Sequence, residues 1–232
     1  MTVRRELAGN CRSPGSTVDA TAARPQVLGV TNNPTDAMST EIATPLLPYH
    51  ITICGLSELV LHADAGVSHV VSILDPHWPD PQDFTIYGPH ERVLWRFDDV
   101  VRTDLGYLAP TAKDVATILE LGLRLQQEAV ARLLIHCHAG VSRSTATAVI
   151  LMVQHNPGRE ADAFAELDRV RPRSWPNALM LKFADEQLGR GGALVDALTD
   201  HQRRIARAFP EFAELLARHG RAHEIEALGS VS

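Results

Sequence analysis

The 232-residue chain has few cysteines, no strong charge bias and no long apolar run. Its three cysteines, Cys11, Cys54 and Cys137, are odd in number and far apart, which argues against a disulfide scaffold and favours a reducing compartment. A net charge of −6 provides no general attraction for nucleic acid or for an anionic membrane. No stretch approaches the ~18 apolar residues of a membrane span, and the N-terminus lacks the apolar core of a secretion signal. We therefore expect a soluble, cytoplasmic protein that binds neither nucleic acid nor membrane, and the sequence leaves its oligomeric state open.

The composition divides the chain into three parts. Residues 1–45 are rich in Ala, Thr, Pro, Asn and Ser and show no periodicity, so we expect a disordered extension. Met38 stands close to the first folded-looking sequence, and we expect it, instead of Met1, to begin the physiological chain. Residues 46–190 are expected to form the main domain. Residues 191–232 are expected to form a helical extension that packs on that domain.

Strand and helix patterns alternate from Tyr49 onward. Strands are predicted at 50–55, 69–74, 92–97 and 132–137, and helices at 57–63, 110–131, 144–155, 160–171 and 176–189. The last segment predicts an amphipathic helix or helix pair interrupted at Pro210. This order predicts an α/β fold with a mostly parallel sheet of four to five strands and helices on both faces.

The stretch LLIHCHAGVSRSTA (133–146) contains the most informative chemistry. It reads as a buried strand, a turn and a buried helix, and ligands of such sheets bind beyond the carboxyl ends of the strands. The turn amides and the helix N-terminus predict a site for a phosphate-sized anion. The same field favours the nucleophilic thiolate of Cys137, and Arg143 can hold two phosphate oxygens. Gly140 allows close backbone approach, and Ser144 is placed to donate to the sulfur.

The segment HCHAGVSRS resembles the HC-x5-R-S/T signature of the cysteine-dependent tyrosine and dual-specificity phosphatases. FDD, APT and RPRSWPN are similar to a compact bacterial branch of that superfamily, and the resemblance extends over residues 48–190. It implies a dual-specificity-phosphatase-like fold, a phosphocysteine intermediate on Cys137, and no metal or organic cofactor. The phosphate is then held by a loop whose members are His138, Ala139, Gly140, Val141, Ser142 and Arg143. His136 is expected to hydrogen-bond this loop from behind, and His138 to lie on its outer face.

Four aspartates are candidates for the general acid that protonates the leaving oxygen. In the family, the acid follows the last strand before the helix that precedes the cysteine, and Asp98, Asp99 and Asp104 satisfy this condition. Asp80 lies in HWPD, which resembles the acid loop of classical tyrosine phosphatases, but the predicted strand 92–97 intervenes. We choose Asp99 and keep the other three as alternatives, with Asp80 favoured as a turn residue.

Two questions stay open at this point. In RPRSWPN, Arg171 or Arg173 either meets substrate charge or belongs to a helix stop, and Asn177 is a candidate for fixing a loop. The predicted substrates are phosphorylated proteins or small phosphate monoesters, phosphotyrosine before phosphoserine and phosphothreonine. A catalytically silent phosphate-binding module and a sulfurtransferase-like enzyme are the alternative functions.

Overall fold

The structure is a computed structural model that describes residues 44–103 and 106–229. The predicted disorder of the N-terminal extension (apart from its last two residues), the Met38 start, Cys11 and the alternative acid Asp104 lie outside the described residues. Within the described part of the chain, no helix is long and apolar enough to cross a bilayer.

A four-stranded parallel sheet forms the centre of the fold, which confirms the predicted fold class. The strands are β1 (His50–Cys54), β2 (His69–Leu74), β3 (Glu91–Arg96) and β4 (Arg132–His136). Their spatial order is β1-β4-β2-β3, so β4 is paired on both sides, with Leu133 opposite Ile51 and His69. Because β4 lies inside the sheet, the turn that follows it emerges from the middle of the carboxyl edge.

Four α-helices cover one face of the sheet. They are α1 (Ala112–Leu125), α2 (Arg143–Gln154), α3 (Glu160–Val170) and α4 (Ala178–Leu188). Thr111 and Asp114 form a reciprocal capping box that begins α1. The predicted end of this helix near Ala131 is wrong: α1 ends at Leu125, the last member of its buried stripe, and residues 126–131 turn back toward β4.

The second face has a thinner cover than a doubly wound sheet usually has. Two 3-10 helices, Leu56–His62 and Gln82–Ile86, lie there in place of α-helices. Leu59 and Phe84 from these segments pack against Val70 and Leu134 of the sheet. Helices were predicted on both faces. The structure has α-helices on one face and short 3-10 helices on the other.

The C-terminal residues form three further helices, α5 (Ala193–Ala208), α6 (Pro210–Leu216) and α7 (Ala222–Ala227). Leu194 and Leu198 of α5 belong to the same buried core as α2. Trp175 is fully buried in a second cluster with Ile205, and Val141 and Phe209 pack against it. The C-terminal helices thus complete the core and also reach the turn after β4.

We expect Leu194→Ala to lower the free energy of unfolding by about 2–5 kcal/mol, because it opens a cavity in a core shared with α2. Urea unfolding monitored by tryptophan fluorescence measures this loss. Leu215→Ala, at a side chain that is 45% exposed, is the matched control and should cost less than about 1 kcal/mol. Equal, small losses in both variants would contradict the shared core.

Candidate active site

The loop between β4 and α2 holds the residues of the HC-x5-R-S signature. Cys137 directly follows the last residue of β4, and Arg143 is the first residue of α2. Cys137 is 1% exposed and Arg143 is 2% exposed. The cysteine and the arginine of the signature are therefore both buried at the carboxyl edge of the sheet.

Every carbonyl oxygen from residue 138 to residue 142 accepts a hydrogen bond from surrounding protein. The donors and distances are Leu56 N–H to His138 (2.9 Å), Arg171 Nη2 to Ala139 (3.0 Å), Arg171 Nε to Gly140 (3.0 Å), Trp175 N–H to Val141 (2.8 Å) and Asn177 N–H to Ser142 (3.3 Å). In a trans peptide the N–H points away from the carbonyl. The amides of residues 139–143 therefore lie on the opposite side from these donors, and none donates to another described residue. Such a run of unpaired amides forms an anion-binding concavity.

Arg171 acts as a clamp on the outside of this loop. Besides the two loop carbonyls, its guanidinium binds both carboxylate oxygens of Glu58, each at 2.9 Å. The hydrogen bonds from Arg171 hold the pKa of Glu58 below its usual value, so the pair stays ionised at neutral pH. Arg173 lies 3.5 Å from Glu211 and is exposed. Neither arginine reaches toward the concavity, so the suggestion that one of them meets substrate charge does not fit this geometry.

Two glycines allow the loop to lie against the end of β1. A Cβ on Gly140 would stand 2.5 Å from the carbonyl carbon of Cys54, and its φ of +67° is unfavourable for other residues. A Cβ on Gly55 would stand 2.9 Å from the Ala139 backbone. The loop position thus requires glycine on both sides of the contact.

Ser144 lies beside Cys137. Its Oγ is 3.2 Å from Cys137 Sγ, and both side chains are buried. A hydroxyl at this distance can donate to a thiolate or to a sulfur that departs from phosphorus.

Arg143 is held along one edge only. Its Nη1 donates to the Phe97 carbonyl (2.6 Å) and to Asp75 Oδ1 (2.7 Å). Its buried Nε has no hydrogen-bond partner among the described residues. A buried donor without a partner carries a cost that a bound anion removes. Sequence analysis missed Asp75, although its place directly after the predicted strand 69–74 was a usable signal.

The aspartates near the site have different roles in the structure. Asp99 Oδ1 accepts from Ser142 Oγ (2.7 Å) and Asn177 Nδ2 (3.0 Å), and Asp99 Oδ2 lies 4.0 Å from Arg143 Nε. Asp98 instead closes the loop that follows β3: its Oδ2 accepts from the Leu108 N–H at 2.7 Å. Asp80 pairs with Arg96, and the structure places it in contact with neither Cys137 nor Arg143.

The two histidines beside Cys137 are in different environments. His136 is fully buried, its Nε2 lies 2.6 Å from Ser72 Oγ, and burial lowers its pKa to about 4. His138 accepts from the Asp75 N–H at 3.2 Å, and its ring stacks edge-on against Trp78 with centroids 4.4 Å apart. Burial lowers the pKa of His138, although the Asp75 carboxylate opposes this effect. Both rings are therefore neutral parts of the scaffold at pH 7.

A Ser–His–Asp alignment near the site is structural in nature. Ser174 Oγ and Asp168 Oδ1 each lie 3.1 Å from a ring nitrogen of His201. Ser174 and His201 are fully buried, so no substrate reaches the hydroxyl. The alignment connects α3 and α5 to the loop that carries Arg171 and Asn177.

Potential metal ligands among the described residues form one group, at the other edge of the sheet. One ligand atom each from His69, Glu91 and Glu128 lies within 4.8 Å of the others. Arg124 already donates to Glu91 and lies 3.4 Å from Glu128. We interpret the group as a surface ion-pair network.

Several solved structures are similar to this chain in fold. Human DUSP28 is 18% identical, with 62% of this chain and 94% of that chain covered and a TM-score of 0.47. The Yvh1 phosphatase domain from Chaetomium thermophilum is 18% identical over 63% and 93% of the two chains, with a TM-score of 0.45. The human tyrosine phosphatase-like serine/threonine/tyrosine-interacting protein is 18% identical over 64% and 97%, with a TM-score of 0.44. No protein-family model and no curated protein matches the chain. These likenesses concern the fold alone.

We expect Gly140→Ala to abolish binding of inorganic phosphate or vanadate, because the new Cβ would displace the loop from the end of β1. Gly158→Ala is a matched control: its φ is +80°, yet no atom lies within 4 Å of the added Cβ. The control should lose about 1–2 kcal/mol of folding stability because of its backbone conformation, and it should keep the wild-type affinity for vanadate. Isothermal titration with vanadate measures the difference, and equal affinities in the two variants would contradict the close contact.

We also expect a stability change linked to His136. Its folded pKa of about 4 lies below the ordinary 6.5, so protonation favours the unfolded chain. This contribution is fully present above pH 6.5 and is lost as the pH falls toward 4, with a total of about 3 kcal/mol. His136→Gln should flatten the pH dependence of the free energy of unfolding over that interval. The exposed His50→Gln should keep the wild-type slope, and parallel curves for all three proteins would refute the assignment.

Proposed function

We propose that the protein is a cysteine-dependent phosphatase that hydrolyses phosphate monoesters. One observation carries the proposal: the amides of residues 139–143 are unpaired and turned inward around Cys137, because every opposing carbonyl is tied outward. The buried, unpartnered Nε of Arg143 adds a cationic donor to the same space. A phosphoryl group with three non-bridging oxygens matches this set of donors.

In the first step, the Cys137 thiolate attacks phosphorus and forms the S–P bond while the P–O bond to the leaving group breaks. The amides and Arg143 hold the non-bridging oxygens during the transfer. Asp99 gives its proton to the departing oxygen, since its Oδ2 faces the Arg143 edge that has no partner.

In the second step, water attacks the phosphocysteine and Asp99 accepts its proton. The S–P bond breaks, the sulfur departs as a thiolate, and Ser144 donates to it across the 3.2 Å contact. Inorganic phosphate leaves and the enzyme is restored.

The surroundings of the site favour an aromatic phosphate monoester, phosphotyrosine before phosphoserine or phosphothreonine. Cys137 is deeply buried, so a short side chain would have to bring its own backbone close to the loop. Trp78, which contacts His138, is 46% exposed, and Tyr107 and Leu108 beside the Asp98 loop closure are also exposed. These apolar groups can cover a phenyl ring.

We expect phosphate release from a phosphotyrosine peptide to disappear in Cys137→Ser and to fall by about 10²–10⁴-fold in kcat in Asp99→Asn. Asp80→Asn is the matched control, because it removes the same charge from a carboxylate that pairs with arginines outside the loop. The control should retain nearly full activity. Trapping of a covalent phosphocysteine by rapid acid quench tests the intermediate directly.

Two results would overturn the proposed activity, and a third would overturn the assignment of the acid. Tight, stoichiometric phosphopeptide binding without phosphate release would identify a phosphate-reading module. Sulfur transfer from thiosulfate to cyanide that is insensitive to Asp99→Asn would identify a sulfurtransferase. Damage by Asp80→Asn in place of Asp99→Asn would identify the other loop as the source of the acid.

A further inference from the structure

The C-terminal helices bring a third arginine to the catalytic loop. Between α6 and α7 the chain turns through Gly220, whose φ of +89° is accessible mainly to glycine. The next residue is Arg221, which is only 7% exposed. Phe212, Leu216 and Ile225 on either side of this turn pack against the cluster that contains Trp175. The turn is therefore anchored where its arginine faces the site.

Arg221 binds the candidate general acid and the loop together. Its Nη2 lies 2.6 Å from Asp99 Oδ1, 3.2 Å from the Asp99 carbonyl oxygen and 3.2 Å from Ser142 Oγ. Its Nη1 donates to Glu224 Oε2 at 3.1 Å. Glu224 thus fixes one end of the guanidinium while the other end is directed at Asp99.

The two oxygens of Asp99 are consequently in different situations. Oδ1 accepts from three side chains, those of Ser142, Asn177 and Arg221. Oδ2 accepts no hydrogen bond from the described residues and lies 4.0 Å from Arg143 Nε. Rotating the carboxylate would break three hydrogen bonds, one of them to a buried guanidinium, so the orientation of Oδ2 is fixed.

We propose that Arg221 is a positioning residue for the general acid, which makes the C-terminal extension part of the active site. Arg221 holds Oδ1 so that Oδ2 remains the oxygen that exchanges a proton with the leaving group and with water. The inference rests on the proposed function, because it assigns Asp99 its catalytic part. It predicts that loss of Arg221 impairs proton transfer and leaves phosphate binding intact.

A leaving-group series separates these two effects. With aryl phosphates of increasing leaving-group basicity, an acid matters more as the departing oxygen becomes more basic. We expect Arg221→Ala to reduce kcat by about tenfold or more on the most basic leaving group, within the range attributed to acid catalysis, and only slightly on the least basic one. Inhibition by vanadate should stay within about twofold of wild type, since the donors to the loop carbonyls and the contacts of Arg143 are unchanged.

The control variants distinguish loss of acid positioning from a general loss of structure. Arg218→Ala removes an exposed arginine from the same turn and should match wild type over the whole series. Arg221→Lys keeps the charge but not the guanidinium that spans Asp99 and Glu224, and should give an intermediate dependence on the leaving group. In an Asp99→Asn background, Arg221→Ala should cost little more, because the two changes remove one function.

The outcomes distinguish failure of the inference from failure of the proposed function. Wild type without Cys137-dependent turnover on any substrate would remove the proposed function itself. Turnover with equal leaving-group dependence in wild type, Arg221→Ala and Arg221→Lys would leave the phosphatase intact and overturn the role of Arg221. Higher activity in Arg221→Ala would also overturn it and would indicate an inhibitory contact. Should Arg221→Ala fail to fold, Arg221→Lys alone decides by the same slope.

Discussion

The site depends on the outward fixation of the loop carbonyls at residues 138–142. Five successive peptide groups have to present their N–H groups to one small volume, and repulsion among these dipoles opposes that arrangement. The donors that prevent the loop from relaxing are distant in sequence: the Leu56 amide, the Arg171 guanidinium and the amides of Trp175 and Asn177. The RPRSWPN segment therefore acts as the outer support of the loop, and its buried Trp175 secures the segment to α5 and α6.

Three buried or half-buried arginines surround the loop, and they differ in what they leave unpaired. Arg171 is paired with Glu58 and two carbonyls, and Arg221 with Asp99, Ser142 and Glu224. Arg143 is held at Nη1 while its buried Nε has no partner in the described part of the chain. The net charge of the chain is −6, so attraction of an anion has to be local. Arg143 can provide it, because its Nε has no hydrogen-bond partner among residues 44–103 and 106–229, whereas Arg171 and Arg221 are paired with carboxylates.

Much of the fold and the centre of the site could be predicted from local sequence. The strand 69–74 and the limits of α2 and α3 follow from runs of apolar residues bounded by polar turns, and Cys137, Arg143 and Ser144 lie within eight consecutive residues. The end of α1 was missed because helix-forming residues continue past Leu125, where packing no longer supports a helix. Asp75 and Glu58 were missed because their partners are 68 and 113 residues away. Such contacts are set by the order of strands and by the path of the chain after α4, which periodicity does not reveal.

Arg221 is the strongest example of this limit, because its partner Asp99 is 122 residues away and no short motif marks it. The C-terminal sequence shows only amphipathic helices, whose default role is to cover a core, and α5 does this. The helices beyond α5 pack against the cluster of Trp175 and Val141, next to the loop after β4. Arg221, which follows Gly220 between these helices, is directed inward. Burying an arginine is costly unless well-placed groups accept its hydrogen bonds. The partners here are Glu224 and Asp99, and Asp99 is the residue to which our proposal assigns proton transfer. Because Arg221 is buried against Asp99, the position of the C-terminal turn also fixes one oxygen of the carboxylate that the proposal makes the general acid.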